Sequence, residues 1–280
     1  MSGFINYNGK LLPSDEPIIS ADNRGFRYGD GIFETMRMVD ERIPLWHLHA
    51  ERLFNGLKQL EFDLTGLFTA EMILEEILKL CKKNSTLKSA RIRLSIFRRD
   101  GGLYDVADET PNFIIQSWAI GQLAPSINEN GLVIDIYPKA RKSCDPLANL
   151  KSNSFLPYSM AAQFAKQNRF DDCLVLNSNE RIADSTIANV FIRKGFVFRT
   201  PPLAEGCIAG VMRRWLIEQD QSGNQIKEEP LTIDELLEAD EIFLTNAVQG
   251  IRWVSAFRDR TYKKQLSPLL YTALHKNLFA

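Results

Sequence analysis

Apolar side chains recur at intervals of three and four residues in two stretches of the first half of the chain. Residues 47–62 place leucines on one face of a helix, and residues 69–83 do the same with Ile73, Ile77 and Leu80. This spacing is typical of an amphipathic helix that packs one face against a core. The pattern therefore predicts a helix over each stretch.

Alternation of apolar and polar residues predicts a strand at Ala90–Phe97, where isoleucine and leucine alternate with arginine and serine. Other short apolar or β-branched runs predict further strands, and longer periodic stretches predict further helices. We expect strands within 4–13 and at 112–118, 132–137, 173–176, 189–192 and 196–199, and helices at 157–167, 209–220, 233–238 and 268–278. Short strands and helices mixed without a regular β-α-β repeat favour an α+β fold.

The segment 119–126 contains glycine and proline and has no periodicity, which is typical of a link between domains. We therefore expect an N-terminal α/β domain at 1–118, a linker at 119–126 and a C-terminal domain at 127–280. A chain of 280 residues is long enough for two domains.

Composition narrows the class of protein. The 34 Lys and Arg residues nearly balance the 35 Asp and Glu residues, so no nucleic-acid partner is expected. Hydrophobic residues make up 45% of the chain, enough for a large core, and no apolar run reaches the ~18–20 residues of a membrane helix. The start carries no visible secretory signal, and the four scattered cysteines and three histidines suggest no disulfide framework or metal site. We expect a cytoplasmic protein.

Six irregular segments next to predicted strands and helices are candidates for chemistry. They are 22–34, 49–53, 149–153, 184–191, 206–213 and 244–251. The Arg52 guanidinium suits a phosphate, and so do the free N–H groups where a helix begins near residue 210. Lys151 follows a strand, where a nucleophilic lysine can be held. Each segment also has an ordinary explanation as a turn, a loop or a surface residue, and spacing alone does not single out Lys151.

Taken together and in this order, the six segments resemble the class IV (fold-type IV) pyridoxal-phosphate enzymes. This family includes branched-chain aminotransferases, D-amino-acid transaminases and 4-amino-4-deoxychorismate lyases. The resemblance extends from Phe4 to Val254. It implies a D-amino-acid-transaminase-like fold, with a smaller N-terminal α/β domain, a larger barrel-like C-terminal domain of mixed α/β structure, and pyridoxal 5′-phosphate between them. It also implies a homodimer.

The resemblance implies a role for individual residues. Lys151 corresponds to the lysine that binds the cofactor covalently and then moves the substrate proton. Arg52 corresponds to the phosphate-binding arginine, and Asp184 stands where the family usually has a glutamate beside the pyridine nitrogen. Such a carboxylate keeps the nitrogen protonated, which makes the ring a better electron sink. Aspartate is one methylene shorter, so its reach is the main departure from the family pattern.

Further cofactor contacts implied by the resemblance are the N–H groups of Val211 and Met212, for the phosphate, and Asn246. Met212 and the Thr-Asn-Ala segment ending at residue 247 are similar to the lyases. The implied reaction converts 4-amino-4-deoxychorismate to 4-aminobenzoate and pyruvate, a step toward folate. The candidates for binding the substrate, mainly through its two carboxylates, are Arg27, Tyr28, Arg98 and Arg252.

Two alternatives stay open. Glu34 is similar to the aminotransferases, so a transaminase acting on branched-chain or D-amino acids with 2-oxoglutarate is the second interpretation. The aspartate at position 184 leaves a non-catalytic cofactor-binding protein as a third, against which the lysine at 151 argues.

Overall fold

The computed structural model describes residues 3–64, 66, 68–104, 109–220 and 225–279. The chain divides into two compact units, Met1–Gln122 with Lys151–Ser154 and Leu123–Leu150 with Phe155–Ala280. The first division falls inside the segment 119–126 that the sequence indicates as a linker. The sequence does not predict that residues 151–154 belong with the first unit.

The first unit is built on a five-stranded sheet with strand order β2-β1-β5-β4-β3. Its strands are β1 (Phe4–Tyr7), β2 (Lys10–Pro13), β3 (Gly31–Val39), β4 (Ser89–Phe97) and β5 (Asn112–Ala119), and its helices are α1 (Arg24–Tyr28), α2 (Trp46–Gln59) and α3 (Ala70–Lys83). All neighbouring strands are antiparallel.

The sheet of the first unit has an apolar face and a polar face. Ile92, Leu94 and Ile96 of β4 are fully buried on the face that α2 and α3 cover. Arg91 and Arg93 of the same strand point to the other face, because successive side chains of a strand alternate. The alternation predicted for β4 is thereby confirmed.

The edge strand β3 is extended by a segment distant in sequence. The Phe33 N–H donates to the Lys151 carbonyl at 2.8 Å, and the Asn153 N–H donates to the Gly31 carbonyl at 2.9 Å. Ile32 and Ser152 form an antiparallel bridge. These backbone bonds explain why residues 151–154 belong to the first unit.

The second unit contains a nine-stranded mixed sheet, whose main path is β11-β10-β9-β12-β13-β6-β7-β8, with β14 paired to β13. The strands are β6 (Leu132–Lys142), β7 (Asp172–Asn177), β8 (Ile182–Ser185), β9 (Asn189–Lys194), β10 (Val197–Thr200), β11 (Ile226–Glu228), β12 (Glu241–Asn246), β13 (Gly250–Phe257) and β14 (Arg260–Thr261). The helices are α4 (Leu156–Asn168), α5 (Val211–Gln219), α6 (Ile233–Glu238) and α7 (Ser267–Leu278), with short 3₁₀ turns at Pro146–Asn149 and Leu203–Glu205.

This second sheet curls around a core of aliphatic side chains. Ile134, Leu174, Val190, Ile242 and Val254, from five different strands, are fully buried in one cluster. The predicted α+β class with a barrel-like C-terminal unit is confirmed.

The strand β3 was not predicted, and its burial explains the omission. The strand shows no alternation of polar and apolar residues, because Ile32, Phe33, Glu34, Met36 and Met38 are all buried. A strand covered on both faces loses the period of two.

Among the described residues, no helix has the length and apolar character needed to cross a bilayer.

Candidate active site

In the first unit a buried carboxylate holds the arginine that the sequence assigns to phosphate. Glu34 accepts from Arg52 through Nε–Oε1 at 2.7 Å and Nη2–Oε2 at 2.5 Å, and its Oε2 lies 2.7 Å from His49 Nδ1. Burial opposes ionisation of Glu34, but Arg52 and His49 lower its pKa to about 2. Burial also lowers the pKa of His49. The Arg52 guanidinium is therefore fixed by an ionised partner, as a binding arginine needs to be.

Lys151 lies beside this group on the edge of β3. Its Nζ is 4.5 Å from the centroid of the Phe33 ring, and the Arg93 Cζ is 3.7 Å from the same centroid. The two cations therefore lie within about 8 Å of each other. The Lys151 charge also contributes to the lowered pKa of His49. The structure brings Lys151 and Arg52, both named from the sequence, together with Glu34 and His49.

In the second unit the Asp184 carboxylate is 2% exposed and lies among three polar groups. Its Oδ2 accepts from the Ile208 N–H at 2.9 Å and lies 3.5 Å from Lys142 Nζ, while the Tyr158 hydroxyl lies 3.0 Å from Oδ1 and 2.9 Å from Oδ2. Burial raises the pKa of Asp184, and the Lys142 charge acts in the opposite direction. Oδ1 therefore has only a shared bond from the Tyr158 hydroxyl, whereas Oδ2 also accepts from the Ile208 N–H and lies near Lys142.

Close to Asp184, the segment before α5 is packed too tightly for any side chain at position 210. A Cβ on Gly210 would lie 1.8 Å from Oδ1 of Asn189. Asn189 Nδ2 donates to the Ile208 carbonyl at 2.9 Å, which fixes that side chain. Helix α5 begins at Val211, with no side chain capping its first N–H groups. A nine-residue helix with an uncapped start offers the N–H groups of Val211 and Met212 to an anion.

The end of β12 lies next to Asn189, since Thr245 pairs with it across the sheet. Thr245 is 1% exposed, and its Oγ1 has no hydrogen-bond partner among the residues that the structure describes. Asn246 Oδ1 accepts from the N–H groups of Val248 and Gln249 at 3.0 and 2.8 Å. The Asn246 side chain therefore stabilises its own turn, and Thr245 has the spare hydroxyl.

The predicted substrate residues are more scattered. Arg27 forms an exposed ion pair with Asp22 at 3.4 Å and lies over the Tyr28 ring. Arg98 is 8% exposed and is held by Asp30 and by the Leu60 carbonyl, while its Nη1 has no hydrogen-bond partner among the residues that the structure describes.

Arg252 lies in the second unit and lines a small pocket that also contains Asn246 and two carboxylates. Those carboxylates belong to Asp171 and Asp172. The structure thus places Arg252 and Asn246 in one pocket, but a guanidinium near two carboxylates is less suited to a substrate carboxylate.

The residues of each unit fit pyridoxal phosphate. The second unit offers a buried carboxylate for the pyridine nitrogen, an uncapped helix start for the phosphate and the orphan hydroxyl of Thr245. The first unit offers the fixed Arg52 guanidinium and a half-buried amine, Lys151. The sequence predictions named Arg52, Lys151 and Asp184 but missed Glu34 as the partner of Arg52, and Tyr158 and Lys142 as partners of Asp184. The sequence indicated Arg93 only as one of the polar residues that alternate with apolar residues in β4.

The fold and these residues define a class of cofactor-dependent enzyme, and comparison with known proteins identifies the family. The pattern of Amino-transferase class IV matches residues 31–257, so the chain belongs to this family. Its enzymes depend on pyridoxal phosphate, which confirms the predicted cofactor.

Individual relatives include both reaction types. The aminodeoxychorismate lyase of Bacillus subtilis (strain 168) is 30% identical over 273 residues, covering 93% of this chain and 89% of that protein. The D-alanine aminotransferase of Bacillus licheniformis is 24% identical over 272 residues, covering 92% and 89%. The crystal structure of the branched-chain amino acid aminotransferase of Escherichia coli matches with a TM-score of 0.88 at 21% identity, covering 100% of this chain and 95% of that one. The predicted fold family is confirmed.

Proposed function

We propose that the protein is a pyridoxal-phosphate-dependent lyase that converts 4-amino-4-deoxychorismate to 4-aminobenzoate and pyruvate, a step toward folate. The observation that carries this proposal is the similarity, over nearly the whole chain, to the Bacillus subtilis lyase. The Arg93 guanidinium near Lys151 suits a substrate that has carboxylates as well as an amine.

When bound, pyridoxal phosphate supplies an aldehyde for amines and a ring that accepts electron density. Lys151 Nζ takes the proton from the amine-bearing carbon of the substrate. Phe33 and Arg93 lie beside this amine. Arg52 would bind the phosphate of the cofactor, and so would the N–H groups of Val211 and Met212.

Asp184 is proposed as the partner of the pyridine nitrogen despite its shorter side chain. Oδ2 is held by the Ile208 N–H and by Lys142, so the carboxylate cannot rotate freely. Oδ1 has only its share of the Tyr158 hydroxyl, which leaves it an acceptor site for the protonated nitrogen. We also propose that the protein acts as a homodimer in the cytoplasm.

A transaminase is the second candidate, favoured by the similarity to the Bacillus licheniformis D-alanine aminotransferase. One assay separates the two reactions. The pure enzyme is incubated with aminodeoxychorismate without any keto acid, and separately with branched-chain or D-amino acids and 2-oxoglutarate. Formation of 4-aminobenzoate and pyruvate in the first mixture supports the lyase, and product in the second mixture alone rejects it.

The assignment of Lys151 has its own test. Borohydride treatment of the protein with pyridoxal phosphate is expected to attach the cofactor covalently to Lys151, and mass spectrometry of the peptide reads the added mass. Lys151→Ala should lose both the adduct and turnover, because no other amine takes over its position. Lys58→Ala, at an exposed lysine of α2, is the matched control and should keep both. An adduct that persists in Lys151→Ala rejects the assignment.

A further inference from the structure

The polar face of the first sheet carries a concentration of positive charge. Its outward side chains include Arg37 of β3 and Arg91 and Arg93 of β4, and Arg37 and Arg91 are directly opposite each other. Among the five strands of this sheet the only acidic residue is Glu34, which faces α2 instead. The three arginines therefore share a face to which no strand contributes a carboxylate.

Arg91 and Arg93 are ordered by aromatic rings and not by acids. The Arg91 Cζ lies 5.4 Å from the Trp118 ring centroid, and the Arg93 Cζ lies 3.7 Å from that of Phe33. Arg93 Nε also donates to Ser95 Oγ at 3.1 Å. Stacking fixes a guanidinium while leaving its N–H edge available for a planar anion.

Neither arginine forms an ion pair with any residue in the described ranges, in contrast to Arg24 and Arg98, which share Asp30. Burial and then the charge of Arg91 lower the pKa of Arg93. Two neighbouring cations without a counter-ion are unfavourable unless a ligand supplies the negative charge.

We infer that Arg91 and Arg93 together bind the two carboxylates of a dianionic substrate, with Arg93 nearer to Lys151 and Arg91 one pleat further along β4. Same-face residues of a strand are about 7 Å apart, a span that suits two carboxylates on one small ring system. This inference rests on the proposed function and names its substrate class as amine-bearing dicarboxylates. A branched-chain amino acid has one carboxylate and would place a hydrocarbon chain against the Arg91 guanidinium.

Equilibrium binding of two probes to the cofactor-loaded enzyme tests the inference. Benzene-1,3-dicarboxylate carries two carboxylates on one ring and benzoate carries one, and calorimetry gives a dissociation constant for each. Wild type is expected to bind the dicarboxylate more tightly. Arg91→Gln should weaken the dicarboxylate about twofold to fivefold and leave benzoate unchanged, since a charge pair at an exposed arginine is worth no more than about that factor.

Two further variants make the result specific. Arg91→Lys should recover part of the preference, because it restores the charge without the planar fork. Arg42→Gln, at an exposed arginine of the same unit, should behave as wild type. Equal weakening of both probes in Arg91→Gln, or no preference in wild type, overturns the inference. If the preference is present but aminodeoxychorismate is not turned over, the proposed function fails and the dicarboxylate site stands.

Discussion

Gly210 is the position where one added methyl group should damage both the fold and cofactor binding. Its φ of −68° and ψ of 132° are ordinary for alanine, so Gly210→Ala introduces no backbone strain. The new Cβ would lie 1.8 Å from Asn189 Oδ1, whereas the closest ordinary carbon–oxygen contacts are about 3.3 Å. The Asn189 side chain must move by about 1.5 Å or the start of α5 must shift.

The size of the effect follows from what Asn189 would lose. It is 5% exposed, and its amide donates to the Ile208 carbonyl at 2.9 Å. Leaving a buried amide without its partner costs about 1–3 kcal/mol. Replacing glycine with alanine returns about 0.4–1 kcal/mol through the unfolded state, so the loss dominates. At about 2–4 °C per kcal/mol, the melting temperature of the apoprotein should fall by up to about 10 °C.

Cofactor affinity should fall as well, because the displaced segment carries the N–H groups of Val211 and Met212. We expect the dissociation constant of pyridoxal phosphate to rise at least about tenfold, the value of one charge-assisted hydrogen bond. Melting curves and quenching of tryptophan fluorescence by the cofactor measure the two effects. Gly121→Ala is the matched control, since its Cβ would meet no atom within 4 Å. If Gly210→Ala matches this control in both measurements, the close packing deduced here is refuted.

Two further predictions concern buried charge. The Glu34 pKa is lowered from 4.5 to about 2, so Glu34 contributes stability that is complete above pH 4.5 and is lost as pH falls toward 2. Glu34→Gln should therefore lower the free energy of unfolding by about 3 kcal/mol at pH 6. Urea titrations of the two proteins should show this difference vanishing near pH 2. Burial raises the Asp184 pKa and the Lys142 charge opposes this rise, so Asp184 costs stability as pH rises above the ordinary 3.8. Lys142→Met should therefore make the apoprotein's stability fall more steeply as pH rises above 3.8, whereas Lys142→Arg should not. Identical slopes in the two variants would contradict the assigned role.

The helices and the alternating strand were predictable because they are amphipathic, with one face on a core and one facing water. Ile73, Ile77 and Leu80 are fully buried in α3, as their spacing indicated. The strand β3 was not predictable in this way, because apolar and ionised residues alike are buried along it. The helix expected from residue 209 begins at Val211, since Ala209 donates its N–H to the Asn149 carbonyl instead.

The site shows the same limit. Resemblance to a family gave Arg52, Lys151 and Asp184, because these stand at fixed places in ordered motifs. It did not give the partners that set their charge, since Glu34 is 18 residues from Arg52 and Lys142 is 42 residues from Asp184 in sequence. Contacts between such distant residues are made by strand register and helix packing, which local patterns do not encode.

The alternation of side chains between the two faces of the first sheet explains how a chain with almost no net charge can present positive charge to an anionic ligand. On the face of the first sheet that α2 covers, Glu34 neutralises Arg52 locally, so this arginine is positioned at little electrostatic cost. On the opposite face, Arg91 and Arg93 follow each other at the spacing of one pleat with no acid on any strand beside them. The overall balance of 34 basic and 35 acidic residues therefore conceals a separation of charge by face. An arginine paired within the fold provides a fixed contact, whereas an arginine without a partner acid selects the charge of its ligand.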